Sequence, residues 1–245
     1  MNIENILEQM RILKMSGMQE AYHEQVNQPK HADLSFEERL GLILDREILL
    51  RDNKRISNLQ RRAKFRQAAS IEEICYKSKR GLEKSKMLAL GKCDFIKHHQ
   101  NILITGPTGS GKTYLACALS NQACRLGYKA RYLLLTRFLD EMSMSHADGS
   151  YSQLMMQLHK YDVLILDDFG LTAINAKQRH DLFNLIEDRY QLKSTIITSQ
   201  FPVSKWHEYL GEPTIADAIL DRMAENAYRI ELDGDSLRKR EIASS

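Results

Sequence analysis

The chain has 245 residues, 43% hydrophobic and 27% charged, which suits one large folded domain or a domain with a helical appendage and excludes a disordered chain. No apolar run approaches the roughly 18 residues that span a bilayer, and MNIENILEQM at the start sets glutamates within its apolar pattern and lacks a small-residue cleavage site, so no membrane role or signal peptide is indicated and a cytoplasmic location is expected. Cysteines at 75, 93, 117 and 124 form no CxxC pair, which argues against a zinc site or disulfide framework, and the net charge of +3 carries information only through its distribution.

Ile3, Ile6, Leu7 and Met10 recur at helical spacing, and Gly17 is expected to interrupt the helix. A loop with Pro29, His31 and Asp33 follows. Ser35 and Glu38 then stand at capping-box spacing, and Phe36, Leu40, Ile43 and Leu44 continue one apolar helical face. The continuation, RDNKRISNLQRRAKFR, sets seven basic residues against the single acid Asp52. Lys54, Arg55, Arg61, Arg62, Lys64 and Arg66 are therefore candidates for contact with a nucleic-acid backbone, since clustered Lys and Arg displace its counterions. A solvated basic face without a partner is the alternative.

Residues 68 to 100 read as a connector, with Ser70 and Glu73 capping a short helix and Gly81 and Gly91 as punctuation. The expected organisation is a helical N-terminal domain over residues 1–67 and a second domain over 68–245. Cys117 and Cys124, seven apart in a helical stretch, read as small buried hydrophobes. The neighbours His98 and His99 cannot converge on one ion from a helix.

After residue 100 short apolar runs alternate with helices. NILIT, KARYLLL, VLILD, STIITS and YRIEL read as strands of a parallel sheet buried on both faces, in an α/β layered fold. The first strand leads into GPTGSGKT and then a helix, which is the phosphate-loop (Walker A) pattern in its required context. The candidate nucleotide contacts are Gly106, Pro107, Thr108, Gly109, Ser110, Gly111, Lys112, Thr113 and the adjoining Tyr114. Backbone N–H groups and the helix N-terminus suit phosphate oxygens; Lys112 reaches the β- and γ-phosphates and the Thr113 hydroxyl ligates Mg²⁺.

The third strand ends VLILDDFG, with two acids side by side. Like charges there repel unless a cation is shared. Asp167 is placed to hold Mg²⁺ and Asp168 to polarise an attacking water, so hydrolysis rather than simple binding is expected. The strand STIITSQ ends in polar side chains, of which Gln200 is the first candidate to orient the water, with Thr198 and Ser199 as alternatives.

GPTGSGKT, VLILDDFG, the segment from Ser194 to Met223, YRIELDGDSLRKR and LKMSGMQEAY together resemble the IstB-like ATPases, helper proteins encoded beside the transposase in one class of bacterial insertion sequences. The likeness covers nearly the whole chain. It implies an AAA+ core of five parallel strands in the order 5-1-4-3-2 with helices on both faces, and no large C-terminal lid. It also implies ATP rather than GTP, an ATP-dependent homo-oligomer, duplex DNA and a transposase as partners, and Arg222 in LDRM as an arginine finger acting on a neighbouring subunit. An Arg222 paired within its own subunit is the alternative. Arg238 falls where relatives place a second nucleotide-sensing arginine, and a basic tail is the other reading. The segment from Arg137 to Tyr161 reads as two helices joined at Asp148-Gly149, serving either an assembly around DNA or core packing. A DnaC-like replicative helicase loader is the second functional reading. A small-molecule kinase would not need the paired acids.

Overall fold

The computed structural model describes residues 2–28, 33–76 and 81–233. Pro29, His31 and Arg238 fall outside them. The chain divides into two compact units, Met1–Asn58 and Leu59–Ser245.

The first unit contains α1 (Ile3–Ile12), α2 (Ser16–Asn27) and most of α3 (Phe36–Ala63). Ser35 and Glu38 form the expected reciprocal cap of α3, with Ser35 N donating to Glu38 Oε2 at 2.8 Å and Glu38 N to Ser35 Oγ at 3.2 Å. Gly17 does not interrupt a helix. The break lies earlier, around Lys14 with its φ of 57°, and Gly17 sits in the first turn of α2. There the two helices approach so closely that a Cβ would come 2.7 Å from the Glu47 Cα. Glu47, itself buried, accepts from Gly17 N at 2.7 Å and Met18 N at 3.0 Å, so one helix's carboxylate caps the start of another.

The second unit is built on five parallel strands: β1 (Ile102–Thr105), β2 (Ala130–Leu134), β3 (Val163–Phe169), β4 (Ser194–Ser199) and β5 (Tyr228–Glu231). Their order is β2-β3-β4-β1-β5, the expected 5-1-4-3-2 read from the other edge. Period-two alternation divides their side chains between two cores. Ile102, Ile104, Ile165 and Ile196 face α6 (Lys112–Arg125) together with Phe95, Leu115 and Leu119. Leu103, Leu164, Leu166 and Ile197 face the other layer, which includes α7 (Leu135–Asp148), α8 (Tyr151–His159), α9 (Ala176–Arg189), α10 (Trp206–Leu210) and α11 (Pro213–Ala224). Gly149, at φ 78°, separates α7 from α8 as expected. Cys117 and Cys124 are fully buried, and burial pushes each thiol up to about 11.

Two expectations about the connector change. Residues 71–73 form a turn rather than a capped helix; the first helices after it are α4 (Lys84–Leu90) and α5 (Asp94–Lys97). Ser70 and Glu73 instead meet the Tyr114 hydroxyl, which takes up the groups a helix would have used. The division of the chain also falls after Asn58 rather than near residue 68. Ala63 and Ala69 are buried in the core beside α6, with Leu59 and Phe65 packed against it, so this stretch folds with the sheet.

Candidate nucleotide-binding site

The site forms where the carboxyl ends of β1, β3 and β4 meet the N-terminus of α6, the sheet edge at which open α/β folds bind ligands. The loop leaves β1 through Gly106, at φ 146°, where a Cβ would lie 2.3 Å from the Leu232 carbonyl oxygen. Only glycine fits that approach. Gly106 N donates to Ser199 O at 3.2 Å, which ties the loop to β4. Lys112, in the first turn of α6 and 7% exposed, reaches back over the loop to the carbonyls of Gly106 at 2.8 Å and Pro107 at 2.9 Å.

Asp167 is the hub. Its carboxylate is fully buried and receives hydroxyls from three elements: Thr113 of α6 at 2.9 Å, Tyr132 of β2 at 2.7 Å and Thr198 of β4 in a short contact. A buried carboxylate is tolerable only when so satisfied. In turn Tyr132 has its phenol pushed strongly upward, first by burial and then by the neighbouring Asp167, so it stays a donor.

Asp168 breaks the strand. Between Leu166 and Phe169 the register with β4 shifts, and Asp168 takes φ 62°, a left-handed conformation rare for a residue with a side chain. Its backbone N–H, freed from the ladder, donates to Thr198 Oγ1 at 3.1 Å. The bulge thus gives two consecutive acids different surroundings, with the Asp167 side chain buried and the Asp168 side chain 21% exposed. Burial, then the adjacent Asp167 charge, raise the Asp168 pKa above the ordinary carboxylate value.

Gln200 Oε1 accepts from Thr108 Oγ1 at 2.9 Å, which places it against the loop. Of its two rivals, Thr198 is engaged with Asp167 and Ser199 Oγ donates to Phe169 O at 2.7 Å. Tyr114 faces Ser70 and Glu73.

Two members of the constellation escape sequence reading. Tyr132 lies in an apolar strand with nothing local to single it out. Arg66 sits in the basic run, yet its Nη1 stands 3.4 Å from Asp167 Oδ2 and 3.5 Å from Asp168 Oδ2, so the structure moves it from the candidate DNA surface to the acids. Lys54, Arg55, Arg61, Arg62 and Lys64 are exposed, with Arg55 3.5 Å from Asp52.

Arg222 lies at the other end of the sheet. Its backbone carbonyl and that of Met223 accept from Asn101 Nδ2 at 3.1 and 3.2 Å, just before β1, whereas the phosphate loop follows β1. Four strand residues, about 13 Å, separate the two. The guanidinium pairs with Glu187 of α9 and stands 5.4 and 5.7 Å from the ring centres of Phe183 and Tyr190.

The donors fit a magnesium nucleotide. Thr113 and Asp167 offer hard oxygens in contact, and Lys112 stands over the loop that follows β1.

A family model described as IstB-like ATP binding protein matches residues 8–245. The chain is 43% identical over 239 residues to an insertion sequence ATP-binding protein of Sinorhizobium fredii, covering 98% of each. It is 46% identical over 205 residues to the ATP-binding protein of insertion sequence IS1162 of Pseudomonas fluorescens, covering 83% of this chain and 89% of that one. Among solved structures, DnaI superposes with a TM-score of 0.60 at 22% identity, over 72% of this chain and 94% of DnaI. The DnaC helicase loader gives 0.55 at 20% identity, over 66% and 97% respectively. These likenesses establish the fold, an AAA+ type phosphate-loop core. On the family match and these identities, the chain belongs to the IstB-like ATP-binding proteins.

Proposed function

We propose that the protein is an Mg²⁺-dependent ATPase that assembles on duplex DNA and recruits or activates a partner transposase. The observation that carries the hydrolytic part is the bulge at Asp168, which frees a second carboxylate beside an Asp167 already fixed by Thr113, Tyr132 and Thr198. Thr113 and Asp167 would hold Mg²⁺, which when bound neutralises phosphate charge. Lys112 and the loop N–H groups hold the β- and γ-phosphates. Asp168 accepts a proton from the attacking water, a role that its raised pKa favours. Gln200, placed on Thr108, orients that water.

Arg222 cannot reach its own loop from the opposite end of the sheet, which supports a role on the next subunit in an ATP-dependent homo-oligomer. Its pairing with Glu187 is then a resting partner that a neighbour's phosphate replaces.

Assembly on DNA is supported by the exposed Lys54, Arg55, Arg61, Arg62 and Lys64 and by the insertion-sequence relatives. Fluorescence anisotropy with matched duplex and single-stranded DNA, with and without Mg²⁺-ATP, tests it. Nucleotide-dependent preference for duplex is expected. Preference for single strands, or no binding, would favour a helicase loader.

A further inference from the structure

Arg66 departs from the exposed basic segment to meet the two acids. The chain around it is anchored to the sheet: Arg131 donates to the Arg62 carbonyl at 3.2 Å, and Asn121 joins the Gln60 side chain to the Ala69 carbonyl at 2.7 and 2.8 Å. Lys64, at φ 53°, ends α3 and turns the backbone, so Arg66 is delivered to the acids from a fixed base.

Its side chain is held differently. It interacts with the Tyr132 hydroxyl and is 48% exposed, and at 3.4 and 3.5 Å its contacts with the acids are longer than the 2.7–2.9 Å of a strong charge-assisted hydrogen bond. The hydroxyls of Thr113, Tyr132 and Thr198 satisfy the geometry of Asp167 but bring no charge. Arg66 brings a positive charge to both acids, and the Lys112 charge also acts on Asp168.

We propose that Arg66 and the magnesium ion are alternative counter-ions for Asp167 and Asp168. Two cations on one carboxylate repel, so a metal held by Thr113 and Asp167 displaces the guanidinium. Once displaced, Arg66 joins Arg61, Arg62 and Lys64 on the exposed basic segment, and loading of the site adds a positive charge there. The inference rests on the nucleotide-site reading above and makes Arg66 a positioning residue.

The test titrates Mg²⁺ into full-length protein with a fixed concentration of a fluorescent ATP analogue. A half-exposed ion pair supports a shift of about two- to fivefold: Arg66→Ala should need that much less Mg²⁺ at the midpoint, with Arg66→Lys in between. Affinity for the analogue in EDTA should stay within about twofold of wild type, below the effect sought. An unmoved or higher Mg²⁺ midpoint overturns the exchange. If the wild type does not bind the analogue, the nucleotide-site reading itself falls, and this inference with it.

Discussion

At the carboxyl ends of the strands Asp167 is locked by hydroxyls from α6, β2 and β4, whereas at the amino end of β1 Arg222 is held by one carboxylate and two aromatic faces. The first arrangement is buried and shared among elements far apart in the chain, so moving any member disturbs several others. The second is partly exposed and local to α9 and α11, and its ion pair can be exchanged at modest cost. The difference teaches which groups are set before nucleotide arrives and which are free to answer to another molecule. The groups proposed to hold phosphate and metal are gathered at one end, and the proposed finger lies at the other.

Removing Arg222 should break this comparison most visibly. Arg222→Ala is expected to lower turnover by about 10³ while nucleotide affinity of the dilute protein is nearly unchanged, since a finger acts on transition-state charge. Parallel steady-state and equilibrium-binding measurements separate the two. A comparable loss of affinity in the dilute protein would place Arg222 in its own site.

Asp168→Asn comes next, with turnover reduced about 10²- to 10³-fold and ATP binding retained. The wild-type pH profile carries the same information. Because the folded pKa of Asp168 is raised, the carboxylate protonates earlier on acidification. Hydrolysis should therefore decline at a higher pH than an ordinary aspartate would dictate, and the substitution should abolish that limb.

A smaller effect sharpens the description of the locked end. Tyr132→Phe removes one donor from Asp167 and should weaken Mg²⁺ dependence of nucleotide binding by about tenfold, the scale of groups that orient a metal ligand. Unchanged Mg²⁺ dependence would make Tyr132 a packing residue. Subtler still is the basic segment. Replacing Arg61, Arg62 and Lys64 by alanine should reduce the salt-dependence slope of duplex binding by about 2 to 3, roughly one for each phosphate no longer neutralised. An identical slope would place the DNA surface elsewhere.

How much of this could be read from residue order follows from distance along the chain. The loop from Gly106 to Thr113 and the acid at the end of β3 are short patterns whose chemistry depends on near neighbours, so spacing alone reveals them. The sheet was legible for the same reason, as runs such as VLILD are apolar at nearly every position. Arg66 was not, because the contact with Asp167 spans 101 residues and exists only once Ala63, Phe65 and Ala69 have packed beside α6. Tyr132 is 35 residues from Asp167 and sits in a short strand where nothing local marks it as a ligand of that acid. Ser70 and Glu73 had the right spacing for a cap, but a distant tyrosine made the better partner. Gly17 shows the converse: read as a helix breaker, it is where two helices need to touch.

The central claim is that a complete ATPase centre combines the locked end of one chain with the displayed arginine of another. Mixing Arg222→Ala with Asp168→Asn tests it directly, because one variant keeps the acids and the other keeps the finger. Random pairing of neighbours in a head-to-tail assembly should restore about a quarter of wild-type turnover at equal proportions. A mixture no more active than the sum of its parts would contradict the account.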